Sequence, residues 1–220
     1  MEVFKYSNIG CREINEEYVV SNDFGTGISL HLIADGMGGY EHGEVASKVV
    51  GESFVYAISK NMGVIEAASI ASDNLRKEKH SLGIKKMGST VAGVYIKDME
   101  MTIFWAGDSR VYLYRAGDLL YQTEDHSLTN ELCKVRTLTF EERDRYSHIV
   151  TRSLMGDTND SVDIKDFSLM EGDEIFVCSD GLYKDCPVDY IIESIQKNYF
   201  DLDKNNLAFD DNHSLIYIKV

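Results

Sequence analysis

Aspartates recur in this chain at the ends of apolar runs, next to glycine or a small polar residue. Asp35-Gly36 closes one run, and Gly107-Asp108-Ser109-Arg110 joins two others. Asp180-Gly181 follows Ile175-Phe176-Val177-Cys178-Ser179, and Asp211-Asn212 precedes the last apolar run of the chain. A glycine beside an acid lets backbone approach a bound ion, and its carbonyl can be a further ligand. Carboxylates converging from several strand ends repel one another and raise each other's pKa unless cations satisfy them. Hard oxygen donors of this kind suit magnesium or manganese and not zinc. Asp-Gly is equally an ordinary turn pair, and the spacing alone leaves turn and ligand both open.

The elements that would carry these acids can be read from periodicity. Ile28, Leu30, Leu32 and Ala34 alternate, which predicts a strand ending at Asp35. After the Gly-rich turn 35–39, Val45, Ala46, Val49, Val50, Phe54, Ala57 and Ile58 recur with helical period, predicting an amphipathic helix over 43–60. A second helix is expected over 63–79, with Ile65, Ala68, Ala71 or Ser72, and Leu75 inward. Four short β-rich runs follow at 89–97, 101–107, 110–115 and 119–123, separated by turn signals, and read as a meander. Ile103-Phe104-Trp105-Ala106 is apolar on both faces, so its strand is expected to be central. Residues 125–147 read as helix or loop, with strands near 162–168 and 173–179, a short helix near 187–197 and a last strand over 214–220. This order lacks a regular βαβ alternation and disfavours a doubly wound parallel sheet. It fits an α+β fold, an antiparallel sandwich flanked by helices. With no repeat, linker or low-complexity segment, residues 1–220 read as a single domain.

Composition narrows the class further. The chain has 220 residues, is 44% hydrophobic and contains one proline, enough to bury a substantial core. Its formal net charge of -15 argues against nucleic acid or an anionic membrane as a partner. The acidity reflects either a solubilising surface or carboxylates that await cations. Cys11, Cys133, Cys178 and Cys186 form no CxxC pair and read as reduced thiols in a cytoplasmic protein. The N-terminal MEVFKYSNIG lacks the pattern of a signal peptide. No apolar stretch approaches the roughly 20 residues that span a bilayer.

Seven segments taken in order are more specific. They are Asp35-Gly36-Met37-Gly38-Gly39 with Gly43-Glu44-Val45-Ala46-Ser47, Gly88-Ser89-Thr90, Gly107-Asp108-Ser109-Arg110, Asp125-His126-Ser127-Leu128, Ser179-Asp180-Gly181-Leu182, and Asp211-Asn212-His213-Ser214. This succession closely resembles the motifs of the metal-dependent protein phosphatase family, type 2C (PPM), in its compact bacterial form, from about residue 7 to 220. The resemblance implies a four-layer α/β/β/α sandwich and hydrolysis of phosphoserine and phosphothreonine in proteins. Two Mn2+ or Mg2+ ions, with a third held more weakly, are implied as cofactors. Asp35 matches the carboxylate bridging two cations, with the Gly36 carbonyl as a further ligand. Asp180 and Asp211 match ligands of the first cation, and Glu16 matches the acidic ligand of the second. Asp108 matches the residue that holds the third together with Asp180. Arg12 matches the arginine that grips the substrate phosphate.

The chemistry implied by the resemblance is coherent. A water between two cations loses its proton near neutral pH and attacks phosphorus in line, without a phosphoenzyme. The Arg12 guanidinium offers a planar fork to two phosphate oxygens. Positioning and electrostatics do most of the rest. Gly88-Ser89-Thr90, Asp125 and His126 are expected to be structural. Three positions depart from the family pattern: Glu17 where aspartate is usual, Tyr40 where bacterial members often carry histidine, and Met37 where the animal enzymes carry a histidine proposed as general acid. The proton donor is therefore open, with His42 or a water as candidates. Substrates are expected to be phosphorylated proteins, those of a Ser/Thr kinase, met by a monomer. The alternative reading is a catalytically silent module that keeps the fold and binds phosphorylated or partner surfaces.

Overall fold

The computed structural model describes residues 1–37, 42–197 and 209–220. Its strands form two five-stranded antiparallel sheets. The first has the spatial order β1 (Glu2–Asn8), β10 (His213–Lys219), β9 (Glu174–Cys178), β6 (Arg110–Arg115) and β7 (Asp118–Gln122). The second has the order β2 (Glu17–Gly25), β3 (Ile28–Asp35), β4 (Val91–Lys97), β5 (Glu100–Ala106) and β8 (Asp163–Ser168).

The period-2 alternation of the strands assigns each sheet face to a different neighbour. Ile33, Val94, Ile103 and Trp105 of the second sheet meet Val111, Leu113, Ile175, Val177, Ile216 and Ile218 of the first. The opposite face of the second sheet, with Leu30, Leu32, Ala34 and Phe104, is covered by α1 (Gly43–Ser59) and α2 (Val64–Leu82). Phe54 of α1 stacks on Phe104 at 4.9 Å, and burying such a side chain contributes roughly 2–3 kcal/mol. Tyr112, Phe176, Leu215 and Tyr217 on the outer face of the first sheet are covered by Leu182 of α5 (Asp180–Tyr183) and by Ile191 and Ile192 of α6 (Val188–Gln196). Three apolar layers therefore separate helices, sheet, sheet and helices, the expected four-layer sandwich. Two short helices, α3 (Leu128–Cys133) and α4 (Phe140–Tyr146), lie between β7 and β8 in sequence.

Two expectations change. Ile65 is 61% exposed, and Val64 and Ala67 take the inward places on α2 beside Ala68, Ala71 and Leu75. One residue is about 100° of helix rotation, so the inward stripe follows the small alanines that allow close packing on α1. The meander is split: β4 and β5 pair in the second sheet, β6 and β7 in the first. The chain changes sheets at 107–109, where Gly107 has φ +128°. A side chain at Gly107 would press on Thr90. Strand β5 is interior, flanked by β4 and β8, as its apolar faces predict.

His31 lies on the face of β3 directed at the other sheet. Its Nδ1 meets Ser21 Oγ at 2.9 Å, while its Nε2 and the nearby Ser29 Oγ have no partner among the described residues. Burial lowers its pKa to about 4, with Asp23 offsetting slightly. The unfolded chain therefore binds a proton on this imidazole at a higher pH than the folded one. Its contribution is complete above about pH 6.5 and is lost as pH falls towards 4, up to about 3 kcal/mol. Melting curves of wild type and His31→Gln between pH 7.5 and 4.5 test this. The wild type should lose ground to the variant on acidification, and a constant difference would refute it.

Candidate active site

The acids singled out in the sequence come to one end of the sandwich because the strands carrying them end there. Asp35 terminates β3, and Glu17, which opens β2, is its cross-strand partner. Asp108 sits in the crossing between sheets, Asp180 starts α5 after β9, and Asp211 precedes β10. Arg12 and Glu16 lie on the loop between β1 and β2. Arg12, Glu16, Asp35, Gly36, Asp108, Asp180 and Asp211 all line one cleft of about 580 Å3, with Met37, Thr90, Asn212 and the segment 148–150. Asp211, and not the exposed Asp210, is the acid in the lining.

Close backbone approach explains two of the neighbouring glycines. A Cβ at Gly36 would run into the Gly43 carbonyl, so glycine lets the start of α1 close on the end of β3. A Cβ at Gly181 would meet the Asn212 carbonyl in the same way. The Asp35 carbonyl accepts from Thr90 N–H at 2.8 Å and from Ser89 Oγ at 3.0 Å. The Gly88-Ser89-Thr90 segment thus holds the strand end, the structural part expected of it. Asp125 is structural too: both its oxygens take Arg110, at 2.8 and 2.7 Å. His126 stacks on Trp105 and faces Asp163.

Asn212 has a role that motif reading missed. Its Nδ2 donates to the carbonyls of Ile9 at 2.8 Å and Ile14 at 3.1 Å, and its Oδ1 accepts from Glu16 N–H at 2.8 Å. One buried amide thus clamps the loop bearing Arg12 and Glu16 beside Asp211. The only sequence signal was an asparagine following the acid. Tyr183 also escaped notice. It donates to the Asp108 carbonyl at 2.9 Å, and its ring lies 3.6 Å from the Arg110 guanidinium carbon.

Electrostatics set this cluster apart from a group of turns. Burial pushes Asp35 well above the ordinary carboxylate range, and Asp180, Glu17, Asp108 and Asp211 push it further. Asp108 rises to about 7 through burial and Asp180, with Lys184 pulling it back. Glu17 also rises to about 7, from burial first. Ser214 and Ser179 favour its charged form, yet neither carboxyl oxygen has a hydrogen-bond partner of normal geometry among the described residues. Glu16 is raised by burial and by Glu44.

Two side chains supply positive charge. Arg12 reaches Asp211 at 2.7 Å, and that hydrogen bond raises its pKa. Lys184 reaches Asp180 at 2.6 Å. Burial opposes the charge of its ammonium, but Asp180, Asp108 and Asp35 hold its pKa above the usual value. No three acidic, His or Cys side chains among the described residues close on one point. The donor set nonetheless fits divalent cations. It is all oxygen and half-buried to buried, it repels itself, and the buried Glu17 carboxyl behind it has no hydrogen-bond partner of normal geometry among the described residues. Gly38, Gly39 and Tyr40 of the first motif lie outside the described residues.

An α/β/β/α sandwich with a carboxylate cluster and an arginine in one cleft defines a class, that of hydrolases that use divalent cations on phosphate esters. Comparison with known proteins specifies the family. A model of the protein phosphatase 2C family matches residues 15–206. A 2C-type relative from Streptococcus pyogenes serotype M6 is 31% identical over 225 residues, covering 96% of this chain and 90% of the relative. The serine/threonine phosphatase of S. agalactiae superposes with TM-score 0.77 at 28% identity, covering 100% of this chain and 99% of that one. The catalytic domain of the serine threonine protein phosphatase PstP, solved with 2 manganese ions, superposes with TM-score 0.82 at 25% identity, covering 98% of this chain and 96% of that one. The chain belongs to the protein phosphatase 2C family.

If repulsion dominates the cluster, Asp35→Asn should raise the melting temperature in chelator by ~2–6 °C, because it removes a buried charge from among like charges. Mn2+ should then stabilise the wild type and not the variant. A destabilised variant that still gains from Mn2+ would show that Asp35 is not the centre of the repulsion.

Proposed function

We infer that this chain is a metal-dependent phosphatase that hydrolyses phosphoserine and phosphothreonine in proteins. The observation that carries the reading is the meeting of Arg12 with Asp35, Asp108, Asp180 and Asp211 in one open cleft. In this proposal Glu16, Asp35, the Gly36 carbonyl, Asp108, Asp180 and Asp211 hold Mn2+ or Mg2+. Bound there, the cations supply the Lewis acidity that makes water a nucleophile near neutral pH and offset charge on the phosphate.

The protein's own groups do the positioning. Arg12 turns its guanidinium fork from Asp211 to two phosphate oxygens, guided by the loop that Asn212 clamps. Asp211 is thereby freed towards the cation side, so substrate and cation binding act on one shared ion pair. Lys184 stays beside Asp180 and lowers the cost of keeping Asp108 and Asp180 ionised together. The rim at 148–150 limits how a phosphorylated side chain enters.

The substrates are read as phosphorylated proteins, those of a Ser/Thr kinase in the same cytoplasm. Residues 1–220 are read as one catalytic domain acting as a monomer, without nucleic acid or membrane partners. Among the described residues no helix is long and apolar enough to cross a membrane.

Hydrolysis of a phosphothreonine peptide in Mn2+, before and after chelation, tests the reading. Release should require the cation and fall to background in Asp180→Asn. Arg12→Lys, which keeps the charge and loses the fork, should lower kcat/KM by ~10–100-fold. Unchanged kcat/KM in Arg12→Lys would remove Arg12 from the phosphate, and folded protein that releases no phosphate in Mn2+ would overturn the function.

A further inference from the structure

The reaction has one chemical need that no residue placed so far meets. When the P–O bond to a serine or threonine side chain breaks, its electron pair stays on an alkoxide oxygen, which must be protonated. Arg12 does not release a proton at neutral pH. The carboxylates are committed to cations in the ionised form. Thr90 and Asn212 are too weakly acidic, Met37 carries no exchangeable proton, and the Lys184 ammonium is held on Asp180 outside the lining.

His148 is the imidazole that lines the cleft among the described residues. The other histidines are placed elsewhere. His31, His126 and His213 are buried, and His80 is on α2. His42 faces Glu44 at 3.8 Å and is outside the lining. The side chain of His148 is exposed, and the backbone that follows it is held. Ile149 N–H donates to Tyr146 C=O at 3.1 Å, and Ile149 C=O accepts from Leu128 N–H at 2.8 Å. Thr151 N–H donates to His126 C=O at 2.8 Å, and Val150 bridges Ser127. His148 thus stands one residue before a pinned segment, an arrangement that presents an exposed imidazole at a fixed place on the rim. Imidazole is also the side chain most often found passing a proton in this way.

We propose that His148 is the general acid for the leaving group, an assignment that rests on the phosphatase reading above. As the bond from the attacking water oxygen to phosphorus forms and the P–Oγ bond breaks, the imidazolium N–H passes its proton to Oγ. The product leaves as a neutral alcohol, and the imidazole regains a proton from solvent.

The test compares two substrates that differ in their need for that proton. A phosphothreonine peptide expels an alkoxide, whereas p-nitrophenyl phosphate expels a phenolate that leaves unaided. In His148→Gln, kcat on the peptide should fall about 100-fold while kcat on p-nitrophenyl phosphate stays within about two-fold. His42→Gln should change neither. Circular dichroism and the Mn2+-induced rise in melting temperature should match wild type in both variants, which separates loss of the donor from loss of the site. An equal fall on both substrates, no fall on either, or the split appearing in His42→Gln would overturn the assignment of His148. Failure of the wild type to turn over p-nitrophenyl phosphate in Mn2+ would overturn the phosphatase reading itself, and this proposal with it.

Discussion

The repulsion among buried carboxylates around Asp35 is the constraint on which the rest of the site depends. Asp35 is held at a strand end with Glu17 across from it in register and Asp108, Asp180 and Asp211 close enough to oppose its charge. Fold energy alone gives no reason to gather these groups, since an ionised carboxylate without a partner is costly to bury. The cluster is tolerable because two tethered cations, Arg12 and Lys184, sit at its edge and because its oxygens suit divalent ions. Arg12 belongs to both halves of this balance: it neutralises Asp211 and is the group we propose to hold phosphate.

The sandwich supplies the positioning. Each acid stands at or within two residues of a strand end, so the packing between the sheets fixes where the carboxylates emerge. The crossing at Gly107 matters as much as the strands. It moves the chain from one sheet to the other between β5 and β6 and leaves Asp108 at the junction, with Tyr183 holding its carbonyl. Asn212 performs the matching service for the β1–β2 loop. Chain ends distant in sequence are thereby joined at one point, and Arg12 meets Asp211 across 199 positions.

Much of this was legible in the sequence where a local pattern carried it. Alternation marked β3 and its end at Asp35, and helical period marked α1 to within a residue. The ordered Asp-Gly motifs, read as a family resemblance, pointed to the residues now found lining one cleft. Sheet partition was less legible, because four successive strands look like one meander until the backbone at Gly107 shows the crossing. Ile65 misled because apolar character marked the face, whereas packing against α1 selected small side chains. Asn212 and Tyr183 act through contacts with distant parts of the chain, and a residue type beside a motif does not reveal those partners. His31 was silent for the same reason, since nothing in its neighbours says that it lies between two sheets.

The measurement that bears most directly on the central claim is anomalous diffraction from crystals grown with Mn2+. Manganese peaks should appear within ligating distance of Asp35, with Asp211 turned from Arg12 to meet them and Lys184 still beside Asp180. Crystals of folded protein that bind no manganese there, or bind it away from Asp35 while Arg12 still holds Asp211, would contradict the central claim.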